Sequence, residues 1–259
     1  MLQNKTILII GGTSGIGIAA AQFFVQSGAN VCAVGRDDEY LESATKIIEE
    51  NGFVLAADIT KEETAVNAIA QCVEKFGKVD GLYHVAGGSG RRFGDGPLHE
   101  LTLEGWNKTM ELNLTSIMLS NQAAVKYFLE NNISGSILNL GSVLGYRPSK
   151  TYFSTHTYAA AKGAIIAFSK SIAAYYAEYN IRVNVLAPSL VETPMSKRAS
   201  ENSEIMNFVK TKQPLDGGRN GQTDDLDGAA AYFLSDLSKF TTGQVLAVDG
   251  GWGISDGQL

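Results

Sequence analysis

Tyr158 and Lys162 stand four residues apart in a segment, residues 157–179, whose apolar spacing predicts a long helix. Residues four apart lie on one face of a helix, so the phenol and the ammonium are expected to be neighbours. A nearby ammonium favours the phenolate and lowers the pKa of a tyrosine from its usual value of about 10. Tyr158 would then take a proton from an alcohol or give one to a carbonyl oxygen. Taken alone, the spacing favours an ordinary amphipathic helix, because tyrosine and lysine often fall four apart by chance.

Ser142 follows a predicted strand, residues 136–140, and its hydroxyl would hold the same substrate oxygen as Tyr158. A serine at the end of a strand is usually a turn residue, so it supports this chemistry only together with the other site residues. His156, two residues before Tyr158, is equally compatible with a substrate contact and with packing at the helix start.

Residues 11–17 read Gly-Gly-Thr-Ser-Gly-Ile-Gly and lie between a predicted strand, 5–10, and a predicted helix, 15–27. Gly11 permits a tight turn, Gly15 lets a diphosphate approach the backbone, and Gly17 lets the helix pack closely on the strand. The helix N-terminus adds N–H groups and the positive end of its dipole. The alternative is a tight turn without a ligand, but a strand before and a helix after favour a nucleotide site. The predicted contacts are Gly11, Thr13, Ser14, Gly15, Ile16 and Gly17.

The elements that must position these residues alternate along the chain. Strands that are apolar on both faces and alternate with helices form a parallel sheet covered on both sides. With right-handed crossovers this predicts an α/β, doubly wound sheet of about seven strands in a single domain, residues 1–259. The predicted strands are 5–10, 30–34, 53–56, 79–85, 136–140, 181–186 and 244–248, and the predicted helices are 15–27, 38–50, 61–76, 102–131, 157–179 and 224–235. Ligands of such sheets bind beyond the carboxyl ends of the strands, where the glycine turn and Ser142 both lie.

The composition excludes several classes of protein. With 44% hydrophobic and 19% charged residues the chain can bury a core, which excludes disorder as its main description. The net charge of −6 argues against a nucleic-acid partner. No apolar run reaches the roughly 18 to 20 residues that span a membrane, and the N-terminus lacks a signal-peptide layout. Cys32 and Cys72 lie far apart without a CxxC pattern, which predicts a cytoplasmic protein with reduced thiols and no metal site.

The spacing G-x-x-x-G-x-G of residues 11–17 resembles that of the short-chain dehydrogenase/reductase family, and the resemblance continues along nearly the whole chain. The chain departs from the family's pattern in places: His84 replaces an asparagine of the Asn-Asn-Ala-Gly segment, and Ser189 stands where glycine is usual. The matching segments are Asp58-Ile59-Thr60, His84-Val85-Ala86-Gly87, Asn113 in Glu-Leu-Asn-Leu, Ser142 in Leu-Gly-Ser-Val, Tyr158-Ala-Ala-Ala-Lys162, residues 184–195, Thr242-Gly243 and residues 248–251.

This resemblance implies a Rossmann-fold oxidoreductase that transfers hydride between a nicotinamide cofactor and an alcohol or ketone of the secondary alcohol, polyol, sugar or 3-oxoacyl type. Tyr158 is the implied acid/base and Ser142 the residue that orients the substrate. Lys162 also reaches the nicotinamide ribose, and Asn113 holds a water that relays protons. The implied catalytic set is therefore Asn113, Ser142, Tyr158 and Lys162.

The resemblance also implies the remaining contacts. Asp58 would contact adenine, and residues 188–220 would form a substrate lid. A homotetramer or homodimer is expected, with the helices 102–131 and 157–179 in its main interface. Besides the glycine turn, the implied cofactor contacts are Arg36, Asp58, Ile59, Ala86, Gly87, Tyr158, Lys162, Pro188, Val191 and Thr193.

The choice between NAD and NADP depends on the residues after the second strand. Gly35 stands where enzymes that use NAD carry an acid, and Arg36 follows it, as in many that use NADP. Arginine suits bidentate binding of the additional phosphate. Against this, Asp37 and Asp38 are close enough to repel a phosphate; their alternative role is to cap the helix that starts there. The sequence favours NADP(H) over NAD(H).

Other functions stay open. A non-catalytic protein that binds or senses nicotinamide nucleotides would be expected to lack one of the four catalytic residues. An epimerase or dehydratase on the same fold would produce no net change in nicotinamide absorbance. An α/β-hydrolase is disfavoured because no G-x-S-x-G sequence stands as a nucleophile elbow between a predicted strand and a predicted helix.

The substrate is a small molecule of unspecified identity. Arg91 and Arg92, in the glycine-rich segment 87–97, could bind an anionic substrate, but a solvated loop or a subunit contact is the favoured interpretation. The separation of 16 positions from Ser142 to Tyr158 exceeds the family's usual separation, and residues 147–153 would reshape the pocket.

Overall fold

The computed structural model describes residues 1–36, 38–48, 51–149 and 151–257. Within these ranges seven strands pair in parallel, in the order β3-β2-β1-β4-β5-β6-β7. This sheet confirms the predicted doubly wound, Rossmann-type architecture. The strands are β1 (Thr6–Ile10), β2 (Asn30–Gly35), β3 (Gly52–Ala56), β4 (Gly81–His84), β5 (Ser136–Leu140), β6 (Arg182–Pro188) and β7 (Val245–Val248).

Helices cover both faces of the sheet. On β1, Ile7 and Ile9 face a layer that contains α1 and α9, whereas Leu8 and Ile10 face a layer that contains α3, α5 and α6. Side chains alternate between the two faces of a strand, so a strand buried on both sides is apolar at every position. The α-helices are α1 (Gly15–Gln26), α2 (Asp38–Ile48), α3 (Glu62–Phe76), α4 (Leu103–Met110), α5 (Ser116–Glu130), α6 (His156–Tyr176), α7 (Lys197–Ser200), α8 (Ser203–Lys212) and α9 (Asp227–Leu234).

The predicted helix 102–131 is helical from Leu103 to Glu130, but it is not α-helical throughout. It divides into α4 and α5, which are joined by a π-helical turn, Glu111–Thr115. Within the turn, the Asn113 amide donates to the carbonyl of Thr109 over 2.8 Å, and the Ser116 hydroxyl donates to the carbonyl of Leu112 over 2.7 Å. These side chains compete with backbone N–H groups for the carbonyls, and a widened turn is the result.

The strand order reverses between β1 and β4, because β1 leads through α1 to β2 on one side and β4 leads through α5 to β5 on the other. A crevice opens at this point beyond the carboxyl ends of the strands. Among the described residues, no helix combines the length and the apolar character that crossing a bilayer requires.

Candidate active site

A cleft of about 420 Å³ lies at this crevice. Its walls contain nearly all of the residues that the sequence predicts to bind or react. They are Gly11, Thr13, Ser14, Gly15, Ile16, Arg36, Asp58, Ile59, Ala86, Gly87, Ser142, Tyr158, Lys162, Pro188, Val191 and Thr193. Two predicted residues, Gly17 and Asn113, lie behind the wall.

Ser142 and Tyr158 meet because a turn after β5 packs directly on the backbone of α6. Ser142 begins a short 3-10 turn, Val143–Gly145. A Cβ added to Gly145 would lie 2.7 Å from the backbone nitrogen of Gly163 on α6. Only glycine therefore permits this approach, and it places Ser142 beside Tyr158 in the wall of the cleft, close enough to act on the pKa of the phenol.

Lys162 lies one helical turn after Tyr158 and is buried. Its Nζ donates to the carbonyl of Leu140 at the end of β5 over 2.7 Å and lies 5.5 Å from the centre of the Tyr158 ring. Burial disfavours an ammonium, and it lowers the pKa of Lys162 to about 7.

The sequence predicts a lowered pKa for Tyr158, and the structure corrects this expectation. Burial of the phenol raises its pKa, and the hydrogen bond from Ser142 offsets this only in part. The lysine beside it does not reverse the direction, because burial moves the Lys162 ammonium itself toward the neutral form. Tyr158 therefore carries its proton at neutral pH.

Asn113 is held in the π turn with its amide directed at the loop after β4. Its Oδ1 accepts from the backbone nitrogen of Gly88 over 3.1 Å, and its Nδ2 donates to the carbonyl of Gly88 over 2.9 Å. A Cβ on Gly87 would lie 2.6 Å from Asn113 Oδ1 and 3.7 Å from Lys162 Nζ. Glycine at position 87 thus keeps a space between the amide and the ammonium.

His84, where the family pattern has asparagine, lies buried at the end of β4. Its Nδ1 lies 2.7 Å from the Ser120 hydroxyl. Burial and the positive charge of Lys162 lower the pKa of His84 to about 3, so the imidazole is neutral. The replacement is accommodated by a serine on α5 and adds no charge beside Lys162.

Asp95 is the site residue that sequence reasoning missed. It is buried in the glycine-rich segment after β4, yet its carboxylate caps α6. Oδ1 accepts from the backbone nitrogen of Thr157 over 3.0 Å, and Oδ2 accepts from that of Tyr158 over 2.9 Å. More than sixty residues separate the carboxylate from the helix it caps, so no local pattern announces the contact.

The glycine turn fits a nucleotide diphosphate. A Cβ on Gly11 would lie 2.6 Å from the backbone nitrogen of Ala86. A Cβ on Gly17 would collide with the Gly11 carbonyl, so Gly17 packs against the turn itself and lies behind the cleft. The first turn of α1 carries no acidic residue, and its cap, Ser14, makes no side-chain hydrogen bond. Opposite Gly15 stands Thr193, whose methyl would lie 3.4 Å from an added Cβ. A narrow slot with helix N–H groups at its base is suited to phosphate oxygens.

The other end of the slot contains Arg36 and Asp58. Gly35 packs so closely on Thr13 that any side chain at position 35 would collide with the Thr13 hydroxyl. The carboxylate of Asp58 accepts from the backbone nitrogen and the hydroxyl of Thr60, over 2.9 and 2.8 Å, and these bonds, with Arg36 nearby, lower its pKa. Asp37 lies outside the described residues.

The far end of the cleft is aromatic. We call Tyr152, Phe153, Phe208 and Trp252 the aromatic wall. Ring centres lie 5.5 Å apart in the pair Tyr152–Phe208, 5.9 Å apart in Phe208–Trp252 and 5.7 Å apart in Phe153–Trp252. The wall joins the predicted extra loop 147–153 to α8 and to the C-terminal segment, and Phe153 and Trp252 line the cleft. His156 is exposed at the start of α6 and does not line it.

A glycine turn suited to phosphate oxygens and a half-buried tyrosine beside a buried lysine, all in one cleft, indicate the class of nicotinamide-dependent oxidoreductases. Comparison with known proteins agrees. The family model described as Enoyl-(Acyl carrier protein) reductase matches residues 11–253. The 2,5-dichloro-2,5-cyclohexadiene-1,4-diol dehydrogenase of Sphingobium indicum is 33% identical over 252 residues, which make up 97% of this chain and 98% of the relative.

Solved structures show the same likeness. A short-chain type dehydrogenase/reductase from Mycobacterium ulcerans has a TM-score of 0.89 at 29% identity, covering 98% of this chain and 91% of the other. A 3-ketoacyl-(acyl-carrier-protein) reductase from Brucella melitensis, complexed with NADH, has a TM-score of 0.86 at 30% identity, covering 98% and 100%. ElxO with NADP bound has a TM-score of 0.83 at 27% identity, covering 96% and 98%.

The chain belongs to the short-chain dehydrogenase/reductase family. It is an oxidoreductase that uses a nicotinamide cofactor to interconvert an alcohol and a ketone on a small molecule.

Asp95→Ala removes both cap bonds of α6. We expect a loss of about 1 to 2 kcal/mol in the free energy of unfolding. We also expect kcat to fall by about tenfold or more with the KM for cofactor unchanged, because the backbone of Tyr158 loses its anchor. Urea unfolding and steady-state kinetics measure the two effects.

Ser235→Ala is the matched control, since Ser235 caps a remote 3-10 turn, Asp236–Ser238, by accepting from Leu237. It should lose stability but keep its kcat. Equal kcat values for the Asp95 and Ser235 variants would show that the Asp95 cap does not position Tyr158.

Lys162→Met replaces the buried ammonium with an uncharged chain of similar length. Because the folded-state pKa is about 7 and the ordinary value is 10.5, the unfolded chain binds a proton between these values that the folded chain lacks. The stability of the wild type relative to the variant therefore rises with pH across this window and is constant below it. Urea unfolding at about pH 6, 8 and 9.5 tests this.

Lys170→Met, on the exposed face of the same helix, serves as the control and should show no such trend. A difference between wild type and Lys162→Met that stays constant with pH would contradict the lowered pKa.

Proposed function

We propose that Ser142, Tyr158, Lys162 and Asn113 form the catalytic group of this enzyme. The observation that carries the proposal is that the Ser142 hydroxyl and the Tyr158 phenol line the same cleft as the glycine turn, close enough for Ser142 to act on the pKa of Tyr158. Two hydroxyls that meet in this way can both bond to one substrate oxygen. The site thereby orients a carbonyl or carbinol group before the reaction.

In the reducing direction the Tyr158 hydroxyl gives its proton to the carbonyl oxygen, while Ser142 donates a hydrogen bond to that oxygen and holds it. The bound nicotinamide supplies the hydride to the carbonyl carbon. The raised pKa of Tyr158 keeps this proton in place at neutral pH, which suits a general acid. In the oxidising direction the phenolate must form, and the Lys162 ammonium stabilises it.

Lys162, with a pKa of about 7, exchanges its own proton near neutral pH. The space that Gly87 leaves between Lys162 Nζ and Asn113 Oδ1 is suited to a water molecule. Asn113 is held there by three hydrogen bonds to backbone groups, so it would hold such a water in a fixed position. This supports a relay through which Tyr158 regains its proton.

The cofactor is held, in this proposal, by Gly11, Thr13, Ser14, Gly15 and Ile16 at its phosphates, with Gly17 allowing the helix to approach. Asp58 and Ile59 lie at the adenine end, Ala86 and Gly87 lie near the nicotinamide, and Pro188, Val191 and Thr193 close the slot from the segment 188–220. We assign the segment 188–220 as a substrate lid. In this proposal the lid and the rest of residues 1–259 belong to a single domain.

NADP(H) is the proposed preference. A carboxylate cannot be placed at position 35 without displacing Thr13, and the next side chain, Arg36, lines the cleft. Arginine binds a phosphate by two parallel hydrogen bonds. Related structures carry cofactors of both kinds, NADH in the Brucella melitensis enzyme and NADP in ElxO.

We further propose a cytoplasmic homotetramer or homodimer. Its interface would use the two helical segments that the sequence singled out, 102–131 and 157–179. Exposed apolar side chains on both support this: Leu103, Trp106 and Met118 on the first, and Tyr175 and Tyr179 on the second. Such side chains on a helix surface favour self-association.

Tyr158→Phe removes the acid/base hydroxyl and keeps the ring. Turnover of any ketone or alcohol substrate should fall by about 100-fold or more, while NADPH binding stays within about twofold. Nicotinamide absorbance measures turnover, and NADPH fluorescence measures binding. Turnover that survives in the variant would show that Tyr158 is not the acid/base. If the wild type were an epimerase or dehydratase, it would form product without a net change in nicotinamide absorbance.

Arg36→Leu tests the cofactor preference. The wild type should have a lower KM for NADPH than for NADH, and the variant should raise the KM for NADPH by about tenfold or more and leave that for NADH unchanged. Lys46→Leu, an exposed charge on the adjacent α2, is the control and should change neither value. A wild-type enzyme that prefers NADH would overturn the proposed preference.

A further inference from the structure

The charge of the cleft is opposite to that of the protein. The chain carries a net charge of −6. Among the described residues that line the cleft, Asp58 is the only acidic one, and the basic ones are Arg36, Arg91, Arg92, Lys162 and Arg198. Arg36 and Asp58 lie together at the adenine end, and Lys162 is buried at the site of the reaction. The remaining three arginines have no part in the proposed chemistry.

Arg91 and Arg92 are held by a built turn rather than by a solvated loop. Gly90 and Gly94 flank a 3-10 turn, Arg91–Phe93, and both adopt positive φ angles, +72° and +98°. A Cβ on Gly94 would lie 2.6 Å from the Thr102 hydroxyl, so the turn packs against the start of α4. The carboxylate of Asp95, next along the chain, is fastened to α6. The segment is therefore fixed relative to Tyr158.

The Arg91 guanidinium is directed to the substrate end of the cleft. Its Nη2 donates to the backbone carbonyl of Tyr152 over 3.3 Å, beside the aromatic wall. Arg92 stacks on the ring of Phe93, with its guanidinium carbon 4.7 Å from the ring centre. Both contacts leave most of the five N–H donors of each guanidinium available.

Arg198 approaches the same place from the lid segment, on α7. Both arginines line the cleft. Burial, and after it the positive charge of Arg198, lower the pKa of Arg91, while Asp95 acts in the opposite direction. Neither Arg91 nor Arg198 forms an ion pair with any described carboxylate, and both Asp95 oxygens are bonded to backbone N–H groups of α6. Two like charges brought together in a cleft are stabilised when an anion lies between them.

We infer that Arg91 and Arg198 bind an anionic group of the substrate, a carboxylate or a phosphate, while its carbonyl or carbinol group lies at Ser142 and Tyr158. The apolar part of the molecule packs on Phe153 and Trp252. Arginine pairs suit such oxyanions because the planar guanidinium gives two parallel hydrogen bonds. This inference rests on the proposed function, since it names the class of substrate that the same site takes.

Matched ketones test the inference. The first pair is 4-oxocyclohexanecarboxylate and its methyl ester, and the second is dihydroxyacetone phosphate and dihydroxyacetone, which separate a carboxylate from a phosphate. With the wild type, the KM of at least one anionic member should be about tenfold or more below that of its neutral partner. Arg91→Gln and Arg198→Gln should each raise that KM by about tenfold, and leave the KM of the neutral ketone and of NADPH unchanged.

Lys210→Gln, an exposed charge on α8 outside the cleft, is the matched control and should change none of these values. Equal KM values within both pairs would overturn the inference. Arginine variants that raise the KM of acid and ester alike would also overturn it. Arginine variants that raise only the KM for NADPH would overturn it too, because they would assign the arginines to the cofactor.

A binding measurement separates this inference from the proposed function. Tyr158→Phe, saturated with NADPH, is titrated calorimetrically with the two anions, with and without Arg91→Gln. Binding that weakens about tenfold in the double variant supports the arginine site even if no ketone is reduced, in which case only the proposed function fails. If neither anion binds to the Tyr158→Phe variant while the wild type reduces a neutral ketone, the inference fails and the proposed function stands.

Discussion

The position of α6 relative to the end of β5 is the constraint on which this enzyme depends. Tyr158 and Lys162 both lie on that helix, and Ser142 lies on the strand's extension. Backbone contact between Gly145 and Gly163 sets the distance between the two elements. The carboxylate of Asp95 then fixes the rotation of the helix by bonding to its first free N–H groups.

Desolvation follows from this close packing and sets the charge states in the site. The Lys162 side chain is buried between β5 and α6, where it makes a hydrogen bond to the Leu140 carbonyl. Because this burial removes most of the hydration of the ammonium, the charged form is less stable than in water. The same burial keeps the Tyr158 proton in place and leaves His84 uncharged. A site assembled from a lysine, a tyrosine and a histidine is thus close to neutral where the hydride moves. Fixed positive charge lies farther out, on the arginines of the glycine-bounded turn and on Arg198 of α7.

The aromatic wall has a related role in shaping the cleft. Phe153 comes from the extra loop before α6, Phe208 from α8 and Trp252 from the C-terminal segment, and the rings of Phe153 and Phe208 each pack edge to face with Trp252. The Trp252 indole also donates to the carbonyl of Arg147 over 3.2 Å. Three distant parts of the chain therefore close the substrate end, and they do so around Tyr152, whose carbonyl holds Arg91.

The sequence by itself determined the parallel sheet and the glycine turn, and it singled out the side chains that we propose to react. These depend on local periodicity and on glycine's backbone freedom, which are visible over a few neighbouring residues. Only the tertiary structure decided the π turn that interrupts the helix at Asn113, the cap from Asp95, the raised pKa of Tyr158 and the meeting of Arg91 with Arg198. Each of these arises from burial or from contact between residues far apart in the chain, and neither can be read from local spacing.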